Sequence, residues 1–151
     1  QIQELRQNDL FAPLRIADYL MDKDRLFAEL TLDDDELRLY HQVYESLTVD
    51  APLPDLVVYL QAPVEVLVER VQRRGRRVER QLDTGYLQNL AEAYTRFFHY
   101  YNDTPLLIVN AAEIDLVNNQ NDYDVLLQRI CQIKSGRHYF NPVLRADLNY
   151  D

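Results

Sequence analysis

Two rhythms of hydrophobic residues alternate along the chain. In "LVVYL" (Leu56 to Leu60) and "PLLIVN" (Pro105 to Asn110) apolar residues follow one another almost without interruption and include several that branch at Cβ. Such short runs fit strands buried on both faces. Elsewhere apolar residues return every three or four positions, as on one face of a helix. "PVEVLVERVQRR" carries Pro63 at its start and Gly75 at its end, residues suited to opening and closing a helix. A long helix is expected from about Thr84 to Tyr101, and "NDYDVLLQRI" begins a last one, capped by Asn121 or Asp122. Upstream, "KDRLFAELTL" sets Leu26, Phe27 and Leu30 at helical spacing. "TLDDDELRLYHQVYESL" then puts Leu37, Tyr40, Val43, Tyr44 and Leu47 on one face. Residues Ile2 to Asn8 are compatible with a short helix, the pattern breaks at Pro13, and Leu14 to Leu20 reads as a short buried strand.

Strands alternating with helices predict an α/β fold, a parallel sheet with helices on both faces. A chain of 151 residues is read as one domain, with linker-like segments only at Thr48 to Pro54 and in the tail after Gly136. The acids from Asp33 to Glu36 suit the dipole at a helix start, whereas a metal site needs carboxylates converging from separate elements. The aromatic row Tyr94, Phe97, Phe98, Tyr100 and Tyr101 has helical spacing and is assigned to core packing.

Composition narrows the partners. No run of about 18 apolar residues and no charged-then-apolar leader is present, so neither a membrane span nor a signal peptide is read, and a cytoplasmic protein is expected. A net charge of -9 and a pI near 4.7 exclude general nucleic-acid binding, which needs a broad positive surface. The single cysteine, Cys131, has no internal partner, and its apolar helical setting predicts a buried structural thiol. His41, His99 and His138 are scattered, without metal-ligand spacing.

Against this acidic background one segment stands out. "RVQRRGRRVERQ" holds six of the 16 Lys and Arg residues: Arg70, Arg73, Arg74, Arg76, Arg77 and Arg80. Complementing a helix C-terminus accounts for one or two of them. Arg70 and Arg74, four apart, project from one face, Gly75 frees the backbone to turn, and Arg76 follows at once. Three guanidiniums can therefore converge beside the carboxyl end of a strand, where open α/β sheets bind ligands. Guanidinium matches phosphate oxygens in a two-pronged geometry, and phosphoryl transfer depends on such electrostatic stabilisation. A solvated basic edge and a protein-docking patch are the readings that stand beside phosphate binding.

The segments "PDLVVYLQAPVEVLVERVQRRGRRVER", "YLQNLAEAYTRFFHYY" and "PLLIVNAAEIDLV", with "DLFAPLRIADYLMDKDRLFAELTL" upstream, resemble the deoxynucleoside kinase family, above all its bacterial deoxyadenosine and deoxyguanosine kinases. The resemblance runs to about Pro142. It implies a P-loop kinase-like three-layer fold, one incomplete domain over residues 1–151 with a lid at about 70–81 and a tail at about 136–151. It further implies ATP and Mg2+ as cofactors, a deoxynucleoside substrate, and a homodimer joined through helices, for which Leu37 to Leu47 and the aromatic helix are candidate surfaces.

By the same resemblance Arg70 lies against the adenine of ATP, and Arg74 and Arg76 reach the transferred phosphoryl. Glu79 stands where the family's lid glutamate holds the sugar 3'-hydroxyl, or else is a solvated charge beside Arg76 and Arg80. Asp18 is the candidate general base for the substrate 5'-hydroxyl. The family follows this acid with arginine and the present chain with Tyr19, so a capping or loop role for Asp18 stays open. Asp24, before Arg25, is the candidate reader of the base edge, with Asp22 as second choice. The loop "NAAEIDLV", with Asp115 and Leu116, takes the place of the loop that frames adenine. Leu116 either opposes Arg70 across the ring or, with Ile114, anchors the loop to the core.

One family element is missing from this sequence. No G-x-x-x-x-G-K-[ST] occurs, and none of the three glycines, Gly75, Gly85 and Gly136, is followed by lysine. An N-terminally truncated chain is therefore expected, in keeping with a start at Gln1. The expected activity is ATP-dependent phosphorylation of a purine deoxynucleoside at its 5'-hydroxyl, in nucleotide salvage, by the intact protein, the 151-residue piece alone being inactive. The alternatives are a thymidylate-type nucleoside monophosphate kinase and a non-catalytic interaction domain that keeps the fold.

Overall fold

The two uninterrupted apolar runs, some fifty residues apart, pair side by side. A computed structural model describes residues 14–18, 20–48, 52–75 and 83–142, with the backbone alone for 45–48. In chain order the elements are α1 (Met21–Thr31), α2 (Asp34–Thr48), β1 (Val57–Gln61), α3 (Val64–Arg74), α4 (Thr84–Tyr100), β2 (Leu106–Asn110), α5 (Gln120–Gln132) and β3 (Arg137–Phe140). The chain divides into two compact units, Gln1–Leu53 and Pro54–Asp151. The division falls in the Pro-rich loop between α2 and β1.

In the first unit α1 buries Leu26 and Ala28 and leaves Phe27 at its edge. The start of α2 is closed by a reciprocal cap. Asp33 Oδ1 accepts from the amides of Asp35 (3.0 Å) and Glu36 (2.9 Å), and the Asp33 amide donates to Glu36 Oε2 at 3.1 Å. Such a box satisfies amides that the helix cannot, and is worth about 0.5–2 kcal/mol. The acidic run is thus a helix start. Among the described residues of the strand expected over Leu14 to Leu20 no strand is formed: residues 14–18 belong to no helix or strand, with Leu14 73% and Ile16 88% exposed. Apolar content alone makes no strand, because its backbone needs a pairing neighbour.

The second unit is built on a three-stranded sheet of order β1-β2-β3, parallel throughout. Register sets the faces. Val58 pairs with Leu107, Leu60 with Val109 and Val109 with Phe140, so these side chains share one face, while Tyr59 and Ile108 share the other. On the first face Leu107, Val109, Ile114 and Leu126 form the core, joined by Val58, Leu116, Ile130, Ile133 and Phe140. On the second, α4 stacks Phe98 on Tyr59 at 4.4 Å between ring centroids, with Tyr94 at 6.2 Å from Tyr59. Helices therefore cover both faces, giving three layers. Burial pushes the Tyr59 phenol up from its ordinary value, partly offset by a hydrogen bond with Thr95.

Four details differ from the sequence reading. The cap of α5 is Asn119, whose side chain accepts from the amides of Asn121 and Asp122. Cys131 is exposed, because it lies off the stripe of Leu126, Ile130 and Ile133 that α5 turns to the sheet. The aromatic row is core at Phe98 and Tyr101 but not at Tyr100, which is 74% exposed. The tail after Gly136 opens with β3, a third strand. It is held by the Arg137 guanidinium on Tyr101 O (2.9 Å) and by His138, whose Nε2 lies 2.9 Å from Ser135 O. Among the described residues no helix is long and apolar enough to cross a membrane.

Candidate functional site

Strands β1 and β2 end level with each other, Gln61 opposite Asn110, and the Ala111 amide extends the ladder by donating to Gln61 O at 2.7 Å. The chain leaves β1 into α3 after two residues and leaves β2 into the loop 111–119. The carboxyl ends of both strands thus face the same end of the sheet, the position from which α/β folds present ligand-binding loops.

Helix α3 returns over this end. From its penultimate turn Arg70, half-buried, donates through Nη2 to Ala111 O at 2.6 Å. A guanidinium has five N–H donors, so this bond leaves further donors on the same group. Arg73 and Arg74 follow in the last turn and are exposed. Gly75 then ends the helix at φ 65°, a left-handed conformation that glycine adopts without the steric cost of a Cβ. Arg76 and Glu79 lie outside the described residues.

The loop opposite Arg70 is organised by its own polar side chains. Asn110 Oδ1 accepts from the Ala112 amide at 3.1 Å. Asp115 Oδ1 accepts from the amides of Val117 (3.1 Å) and Asn118 (3.0 Å), and its Oδ2 from Asn118 Nδ2 at 2.8 Å. The Asp115 amide in turn donates to Asp122 Oδ2 at 3.1 Å, tying the loop to the first turn of α5. The Asn118 side chain, then the Asn118 and Val117 amides, and finally the charge of Arg73 hold the Asp115 carboxyl below its ordinary value. Leu116 packs against the core formed by Leu107, Val109, Ile114 and Leu126. The loop therefore offers Arg70 the Ala111 carbonyl and rests on the core through Leu116.

The two acids expected to serve the substrate belong to the first unit. Asp18 is fully exposed, and its Oδ1 accepts from Lys23 Nζ at 3.5 Å. Asp24, in the first turn of α1, accepts at Oδ2 from the Tyr40 hydroxyl at 3.2 Å, which joins α1 to α2. A separate open groove of about 580 Å³ runs between Pro63 and the Thr95, Arg96 and His99 side chains of α4. None of Arg70, Arg73 and Arg74 lines it.

Comparison with known proteins decides the family. The model of the deoxynucleoside kinase family matches residues 4–134. The chain belongs to the deoxynucleoside kinase family. It is 30% identical over 122 residues to a deoxyguanosine kinase of Bacillus subtilis, an overlap of 78% of this chain and 59% of that protein. It is 26% identical over 130 residues to a deoxyadenosine kinase of Lactobacillus acidophilus, covering 76% of this chain and 60% of the relative. Among solved structures, deoxyadenosine kinase from M. mycoides with bound dCTP superposes with a TM-score of 0.60 at 21% identity, over 75% of this chain and 59% of that one. That likeness establishes the fold, a P-loop kinase-like α/β sheet with helices on both faces. The chain spans about three fifths of the length of these relatives.

Within this kinase-family chain the residue that motif reading passes over is Asn118, whose amide and side chain both donate to the Asp115 carboxylate. Among the described residues no three His, Cys, Asp or Glu are grouped to hold a metal ion.

Proposed function

We propose that the full-length protein transfers the γ-phosphoryl of ATP to the 5'-hydroxyl of a purine deoxynucleoside, in nucleotide salvage in the cytoplasm. The observation that carries the reading is the family match over residues 4–134 combined with Arg70 seated on the loop that follows β2. In this reading the adenine of the donor lies against Arg70 and the loop that carries Asp115 and Leu116. Arg74, solvent-exposed at the hinge, and Arg76 beyond it neutralise the phosphoryl in flight. Asp18 takes the proton of the attacking hydroxyl, Asp24 reads the base edge, and Glu79 holds the 3'-hydroxyl.

The phosphate-cradling loop is assigned to residues outside this chain, because the sequence has no glycine-lysine-serine or -threonine motif. Magnesium is proposed from family membership. The described residues offer it no cluster of ligands, and no step is assigned to it. A homodimer is proposed through α2 and α4, whose Leu39, Val43 and Tyr100 are exposed apolar residues.

The test is steady-state kinetics of the full-length protein with ATP and each of the four deoxynucleosides, alongside thymidine monophosphate. Turnover of deoxyadenosine or deoxyguanosine is expected. Turnover of thymidine monophosphate alone would replace the reading with a thymidylate-type kinase, and no turnover of any acceptor would leave a non-catalytic member of the family.

A further inference from the structure

Asp24 is held by a side chain from the next helix. It lies in the first turn of α1, and its Oδ2 accepts from the hydroxyl of Tyr40, near the middle of α2, at 3.2 Å. Its sequence neighbour Arg25 is directed elsewhere, donating through Nε to Glu29 Oε1 at 2.8 Å. The Tyr40 ring is itself supported. Its centroid lies 5.5 Å from that of Tyr44, one turn on, and 5.7 Å from that of His41, which meets it edge-on. Tyr40 is half-buried and Asp24 exposed, so the hydroxyl reaches a solvent-facing carboxylate from a packed position. A carboxylate offers about four lone-pair sites on its two oxygens, and this bond uses one of them. Among the described residues Asp24 Oδ1 accepts no hydrogen bond, so one oxygen is open to an outside donor while the other anchors the group.

We propose that Tyr40 is a positioning residue for recognition of the nucleoside base: by holding Asp24 through Oδ2 it presents Oδ1 to an exocyclic amino group on the base edge. The substrate class is then a deoxynucleoside whose base carries such an amine. The inference rests on the kinase reading given above, in which Asp24 reads the base edge, and adds to it the residue that orients Asp24 and the group that Asp24 reads. Tyr40 touches no substrate in this role. A carboxylate accepts and does not donate, so it selects an N–H on the base over a carbonyl. Holding it in place before the nucleoside arrives removes part of the ordering cost of recognition. Loss of the Tyr40 hydroxyl therefore weakens recognition of bases that carry the amine and leaves the phosphoryl-transfer step as it was.

The experiment is steady-state kinetics of the full-length protein with two nucleosides that differ by one amino group. The pair is deoxyadenosine and purine deoxyriboside or, where guanine is the better base, deoxyguanosine and deoxyinosine. Tyr40→Phe removes the hydroxyl and keeps the ring. It is expected to raise KM for the amino-bearing nucleoside about fivefold, a size in keeping with one hydrogen bond, with kcat unchanged. KM for the analogue without the amine should not move. Asp24→Ala should bring the two KM values together, and in that background Tyr40→Phe should have no further effect. An equal rise in KM for both nucleosides would make Tyr40 a residue of helix packing and overturn the proposal, as would simple additivity with Asp24→Ala. If Asp24→Ala abolishes the preference and Tyr40→Phe leaves it intact, Tyr40 alone is excluded. If Asp24→Ala leaves the preference intact, the base-reading role of Asp24 falls and the proposal with it, whereas no turnover by the unaltered protein would sink the kinase reading as a whole.

Discussion

Arg70 Nη2 lies 2.6 Å from the carbonyl oxygen of Ala111, 41 residues further along the chain. The bond ties the end of α3 to the residue that follows β2. Hydrogen bonds to a charged partner contribute about 1.5–3 kcal/mol, the lower figure applying to a half-buried pair. Arg70→Met keeps most of the stem and leaves the Ala111 carbonyl without its donor. The urea midpoint of the variant should correspond to a loss of about 1.5 kcal/mol, and an unchanged midpoint would show that the bond contributes nothing.

Acid should loosen the loop 115–119 through Asp115. Its carboxyl is depressed in the folded protein, first by the Asn118 side chain, from an ordinary value of 3.8. A depressed carboxyl binds its proton more readily in the unfolded chain than in the folded one, so its contribution is complete above 3.8 and is lost as the pH falls through the folded value. Hydrogen exchange at the Val117 and Asn118 amides, both donors to Asp115 Oδ1, should lose protection only in that acidic window. Asp115→Asn should make the exchange of these two amides independent of protonation in the same range, after correction for the intrinsic pH dependence of exchange. Protection that fell equally in both proteins would trace the loosening to another group.

Burial separates two neighbours in type that the sequence treats alike. Leu107 is fully buried at the centre of the sheet, so Leu107→Ala should cost about 2–5 kcal/mol through lost burial and the cavity left behind. Cys131 is exposed on α5, so its thiol should react with a disulfide reagent in the native protein, and Cys131→Ser should leave stability within about 0.5 kcal/mol. A thiol that reacted only after denaturation would restore the buried position expected from its apolar neighbours.

How far the sequence could be read depended on the range of the interactions involved. β1, β2, α3 and α4 were legible because each carries its own signal: uninterrupted apolar residues in "LVVYL" and "PLLIVN", Pro63 and Gly75 as punctuation, and an aromatic stripe at helical spacing. β3 was not, since "RHYF" becomes a strand only by pairing with β2, as Leu107 does with His138. Leu14 to Leu20 failed in the opposite sense, having strand-like composition but no strand pairing among the described residues. The cap at Asn119 was displaced by two or three residues, because Asp122, the competing candidate, spends its carboxylate on the Asp115 amide. At the site, the convergence of Arg70 with the loop after β2 followed from helix spacing and the position of strand ends. The bonds that hold the Asp115 carboxylate did not, because they depend on how the loop places Asn118.

If guanidiniums at the hinge serve the donor triphosphate, Arg74→Ala in the full-length protein should read it out with least ambiguity. Arg74 is exposed, so the variant should fold as stably as the parent, within about 0.5 kcal/mol. Its kcat for deoxynucleoside phosphorylation should nonetheless fall by about a hundredfold or more, the cost of removing one donor from developing charge. Turnover close to that of the parent protein would contradict the assignment.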